Sequence, residues 1–97
     1  MSAPVVSLWN LHDGRQMLVF ACPGCGHYHG PYVKGRGENG SAWKWNGDLV
    51  KPTVTPSILA RFEMEVCHSN VTDGRILFHN DSTHALAGRL VDLPPYR

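Results

Sequence analysis

The stretch Cys22-Pro23-Gly24-Cys25-Gly26 decides how this chain is read. Two thiolates two residues apart can share one tetrahedral ion when a tight turn wraps the backbone around it. Gly24 and Gly26 supply the permissive φ angles for that turn, whose amides can hydrogen-bond the sulfurs. The pair follows the apolar run Met17 to Ala21, so the spacing predicts a knuckle at the end of a strand, as in a zinc ribbon. No strand–helix–strand pattern surrounds it, which argues against a thioredoxin-like redox pair. Cys67 is the one remaining thiol, and three cysteines cannot complete a disulfide framework. A zinc site of Cys22, Cys25, Cys67 and one histidine uses all three.

Six histidines compete for the fourth position. His84 is favoured, because it is expected at the start of a short helix where Asp81 can orient it or cap the turn. His29 is the second choice, close to the knuckle on a segment that can fold back over the ion. His27 shares a face with His29 if that segment is a strand, so no more than one of the two is expected to coordinate while the other is solvated. His68 adjoins Cys67, and neighbours on an extended chain point to opposite faces, which makes it a weak ligand. His12, in a turn, and His79, on a strand, are read as ordinary polar positions.

Ninety-seven residues fit one small domain, 1–97, with a single core. The chain is 42% hydrophobic but only 9% aromatic, and a domain of this size buries about 60–70% of its unfolded surface. A metal is therefore expected to supply stability that burial does not. Eight acids against nine bases give a net charge of +1, too weak a field to draw in DNA or an anionic membrane. The run Met17 to Ala21 is far too short to span a bilayer. The start of the chain shows no secretory signal, and free or metal-bound thiols fit a reducing cytosol.

Val5 to Trp9 and Gln16 to Ala21 read as a hairpin around His12-Asp13-Gly14. Trp43-Lys44-Trp45 alternates with period two before the turn Asn46-Gly47-Asp48. Ser57 to Val66 reads as one long strand that delivers Cys67-His68 at its end. Thr72-Asp73-Gly74 turns the chain back into Arg75 to His79. Asp81 or Ser82 is expected to cap one or two helical turns stopped by Gly88. Leu90 to Leu93 forms a last short strand. The expected fold is small, mainly β and zinc-stabilised, with antiparallel hairpins and one short helix near 81–88.

The run Cys67-His68-Ser69-Asn70-Val71-Thr72-Asp73-Gly74-Arg75-Ile76-Leu77-Phe78, followed by Asp81-Ser82-Thr83-His84-Ala85-Leu86-Ala87-Gly88, resembles the C-terminal signature of a family of small phage and prophage proteins. The knuckle with His29, the segment Trp43 to Asp48 and the segment Lys51 to Ser57 are similar to its remaining blocks. Asn70 and Arg89 depart from the pattern, and neither is a proposed ligand. The resemblance implies a phage origin and a shared Cys/His core, and carries no activity.

Three thiolates and a histidine fill a tetrahedral zinc and make it a poor Lewis acid, so the expected metal is structural. A zinc deaminase needs a His-x-Glu signature that this sequence lacks. Adjacency of Cys67 and His68 in sequence is not the spatial pairing that thiol catalysis requires. No catalytic residue is assigned, and a zinc-dependent hydrolase is the weakest alternative. Trp43 and Trp45 with Lys44, beside a Gly-rich loop, are natural anchors for an interface. The expected function is a zinc-binding interaction module acting on a host or phage protein in the bacterial cytoplasm. A module for single-stranded nucleic acid is the alternative, using the same aromatics with Tyr28, Lys34, Arg36 and Lys51.

Overall fold

The computed structural model describes residues 3–96. Its first sheet is built on β2 (Gln16–Ala21). β1 (Ser7–Asn10) pairs with one edge of β2, while β3 (Tyr28–His29) and β4 (Tyr32–Lys34) share the other. The second sheet is a meander in chain order: β5 (Lys44–Trp45), β6 (Val54–Phe62), β7 (Glu65–Thr72), β8 (Arg75–Phe78) and β9 (Leu90–Asp92). All the pairings are antiparallel. The β7–β8 turn is Asp73-Gly74, with positive φ at both residues (53° and 80°), the geometry that two-residue hairpins favour.

The expected single strand from Ser57 to Val66 is two strands. Phe62 pairs with Glu65, and Glu63-Met64 is the turn between them. The alternating pattern runs through this reversal without a break, because a two-residue turn preserves a period of two. Met64 keeps the apolar phase yet is 90% exposed. Cys67 and His68 consequently sit inside β7, not beyond a strand end. There the alternation is clean: Cys67, Ser69 and Val71 are buried, and Val66, His68 and Asn70 face outward.

The short helix expected near 81–88 is not formed, and no helix occurs among the described residues. Successive tight turns stand in its place, closed by Ser82 N–H to His79 O, Ala87 N–H to His84 O and Arg89 N–H to Leu86 O. The side chains that would cap a helix are engaged elsewhere. Ser82 and Thr83 bond across to the backbone of β7, and such local polar bonds compete with helix formation.

Both sheets contribute to one apolar cluster. Leu18 and Phe20 come from the first, with Val6 just before β1, and Val54, Ile58, Val71, Ile76 and Phe78 come from the second. Cys22 and Cys67 are part of it, so the thiols lie between the sheets. Among the described residues no helix is long and apolar enough to cross a membrane.

Candidate functional site

The knuckle closes with one left-handed glycine, Gly26; Gly24, expected to supply a second, does not take a positive φ. Gly26 takes φ +78° and donates its N–H to the Cys22 carbonyl. β2 ends at the knuckle, β3 returns beside it with His29 buried, and β7 crosses from the second sheet with Cys67. The sulfurs of Cys22, Cys25 and Cys67 and a ring nitrogen of His29 all lie within 4.8 Å of one another. Cys22 Sγ is 3.7 Å from Cys67 Sγ, and Cys25 Sγ is 3.4 Å from His29 Nε2. A tetrahedral ion with bonds of about 2.3 Å to sulfur and about 2.0 Å to nitrogen has edges of about 3.8 Å and 3.5 Å. This group of four could hold a metal ion.

The electrostatics agree. Hydrogen bonding from Cys67 holds the Cys22 thiol far below the ordinary range, at about 3. The same contact, with burial, pushes Cys67 up, and burial raises Cys25. Three sulfurs this close cannot all ionise against one another, whereas a divalent cation among them stabilises every thiolate.

His84, expected as the fourth ligand, stands outside the group, and His29 stands within it. The His84 Nε2 is 3.5 Å from Cys67 Sγ, while its Nδ1 accepts the Leu86 N–H at 3.2 Å. Accepting at Nδ1 places the proton on Nε2, so His84 donates to the Cys67 sulfur. That is the place of an outer partner that steadies a ligand. Its edge packs on Phe78, and Gly24 comes so close that a Cβ there would lie 2.4 Å from the His84 ring. His84→Ala is expected to keep the fold and weaken metal affinity about 10- to 100-fold, measured by competition with a chromogenic chelator.

On the outer face of the same strand lies a second constellation. His68 Nδ1 is 3.1 Å from both carboxylate oxygens of Asp81, and its Nε2 is 3.0 Å from Ser57 Oγ. With the Nδ1–H donated to Asp81, Nε2 is left to accept the Ser57 hydroxyl proton. Each residue has a local reason for its position. Ser57 lies where the β6–β7 register shifts between Val54 and Ile58, and such irregularities re-aim side chains. Its carbonyl accepts the Trp43 indole N–H at 3.2 Å. The two residues after Asp81 fasten its turn to β7. Ser82 Oγ accepts the His68 N–H and donates to the His68 carbonyl, and Thr83 exchanges bonds with Val66. His79 stacks on His68 at 4.1 Å and donates from Nε2 to Asn70 Oδ1 at 2.6 Å.

None of Ser57, His68 and Asp81 is conspicuous by sequence motif. The one signal lies in the alternation that turns His68 away from Cys67: it excludes His68 from the metal and assigns it to the opposite face. Trp43 and Trp45, expected at an interface, are half-buried against the core, and the Trp45 indole N–H bonds to the Asp48 carbonyl. Lys44 is exposed. His27 is exposed and stacks on Phe62.

Fold and site together define a small two-sheet β protein in which a Cys/His cluster backs a Ser–His–Asp relay. The chain belongs to the BubE family, described as the bacterial ubiquitination-like system serine protease, whose profile matches residues 3–79. The matched span contains the four clustered Cys and His residues, Ser57 and His68, and ends just before Asp81. That description names a bacterial system; the phage source implied by the earlier resemblance is not part of it. No curated protein and no solved structure matches the chain.

Proposed function

We propose that this protein is a serine protease of a bacterial ubiquitination-like system, with Ser57 as nucleophile, His68 as general base and Asp81 as the orienting carboxylate. The observation that carries this is the continuous relay from Ser57 Oγ through His68 to Asp81, with contacts of 3.0 and 3.1 Å. The family's description supports it independently.

In this reading Ser57 Oγ attacks the scissile carbonyl while His68 Nε2 takes its proton. Asp81 stabilises the resulting imidazolium and keeps the Nδ1–H tautomer. The imidazolium then protonates the departing amine, leaving an acyl-Ser57 ester. Water, deprotonated by His68, hydrolyses that ester and restores the hydroxyl. Cys22, Cys25, His29 and Cys67 would hold a structural Zn2+, whose chemistry is to bind thiolates and imidazole and fix the strands that supply them. The alternative of an interaction module has less support, since Trp43 and Trp45 direct their indole N–H groups to internal carbonyls.

Asp81→Asn tests the relay. An amide at this position can donate to Nδ1 and so favour the tautomer with its proton on Nε2, where it cannot accept from Ser57. An amidolytic kcat lower by about 10^4-fold is expected. A loss of less than about tenfold would remove Asp81 from the relay.

A further inference from the structure

We infer that the open edge of β6, next to Ser57, is the binding site for the substrate backbone, and that the substrate enters as an extended polypeptide added to the sheet as a strand. This rests on Ser57 being the nucleophile. β7 pairs with β6 from Ile58 to Phe62, but on the other side β5 reaches only Val54 and Thr55. Among the described residues no strand runs along the remainder of that side.

The hydrogen-bond phase of the edge follows from the hairpin. A two-residue turn is closed by a hydrogen-bonded pair, here Phe62 with Glu65, and such pairs alternate along an antiparallel ladder. Phe62, Ala60 and Ile58 therefore bond to β7, while Leu59 and Arg61 direct their N–H and C=O groups away from it. Their partners across the ladder agree. His68, opposite Leu59, bonds to Ser82 and His79, and Val66, opposite Arg61, bonds to Thr83, all on the far side of β7. The Ser57 carbonyl, in the same outward phase, is the one Trp43 occupies. Leu59 and Arg61 thus present two sets of strand-type donors and acceptors, beginning two residues from the nucleophile.

A groove of about 560 Å3 lies beside this edge, lined by Pro31, Tyr32 and Trp43 together with Ile58, Leu59, Ala60 and Phe62. From Ser57 to Phe62 the strand runs about 17 Å, enough for about five residues of peptide. Extended segments bind sheet edges in this way, with main-chain bonds giving affinity and pockets taking alternate side chains. An exposed edge of this kind otherwise invites aggregation, and its position beside Ser57 gives it a use.

The test uses the whole protein and a synthetic library of ten-residue peptides, with cleavage read by mass spectrometry. A cleaved peptide is then resynthesised with a single N-methyl group at each position in turn. The expected result is a loss of about tenfold in kcat/KM at every second residue on one side of the scissile bond. In parallel, Arg61→Pro, which removes the outward N–H, is compared with Arg61→Ala, which keeps it. Proline is tolerated on a strand edge where no ladder bond is lost, and equal labelling of the two variants at Ser57 by a fluorophosphonate is the control for folding. The proline variant is expected to cleave the peptide about tenfold more slowly than the alanine variant. Labelling at Ser57 with no cleavage in the library, or cleavage indifferent to N-methylation, would overturn the edge site and leave the nucleophile standing. Absence of labelling would instead overturn the Ser57 reading, and the edge site with it. A chain that is dimeric, becomes monomeric with Arg61→Pro and cleaves as before would assign the edge to a second copy and refute the proposal.

Discussion

Ser57→Ala is expected to lower the amidolytic kcat by about 10^6-fold, as removal of a relay nucleophile does. The effect is large because the hydroxyl has no substitute: the residues that face it, His68 and the Trp43-anchored backbone, position it without replacing it. The substitution deletes one oxygen from an outward, partly buried site and touches no member of the Cys/His cluster. Metal content should be unchanged, and the melting temperature should move by no more than about 4 °C. Those two measurements separate loss of chemistry from loss of fold. A variant with more than a tenth of the original activity would rule out Ser57 as nucleophile.

Cys67→Ser should have the largest effect on stability. Cys67 is buried, 3.7 Å from Cys22 Sγ, and is the one ligand contributed by the second sheet. A structural zinc contributes about 10–16 kcal/mol in small metal domains, as much as the whole stability of a typical domain, about 5–15 kcal/mol. Replacing the thiolate with a hydroxyl removes a strong ligand and leaves two thiolates and an imidazole with an incomplete site. The variant is expected to lose its metal and its cooperative thermal transition by circular dichroism, and a strong chelator should do the same to the unaltered chain. Activity should be lost in both cases, because the strand that carries Cys67 carries His68 on its other face. A metal-free chain with an unchanged melting curve would show that the cluster is not structural.

Much of the Cys/His cluster was legible in the sequence. The Cys22/Cys25 spacing with its glycines specifies a local turn, and Cys67 followed from the count of thiols. The choice between His29 and His84 was not, since it depends on where the 79–88 turns pack against β7, a non-local matter. The hairpins around His12-Asp13-Gly14 and Thr72-Asp73-Gly74 were readable from alternation and turn residues, but the short strands β3 and β4 were too brief to show a period, and the Glu63-Met64 reversal was hidden because a two-residue turn leaves the period intact. The helix at 81–88 failed because Ser82 and Thr83 found backbone partners on β7 in place of a helix end. The relay was the least visible. Ser57, His68 and Asp81 come from a strand irregularity, a strand interior and a turn, and only the β6–β7 register brings them together.

The central claim is that Ser57 is a nucleophile activated by His68. Its most direct test is to treat the zinc-loaded protein with a fluorophosphonate and map the adduct by mass spectrometry, in the original chain and in His68→Ala. One adduct per chain, on Ser57, with labelling slowed at least about 10^3-fold in His68→Ala, is the predicted result. No adduct, an adduct on another residue, or equal labelling in His68→Ala would contradict it.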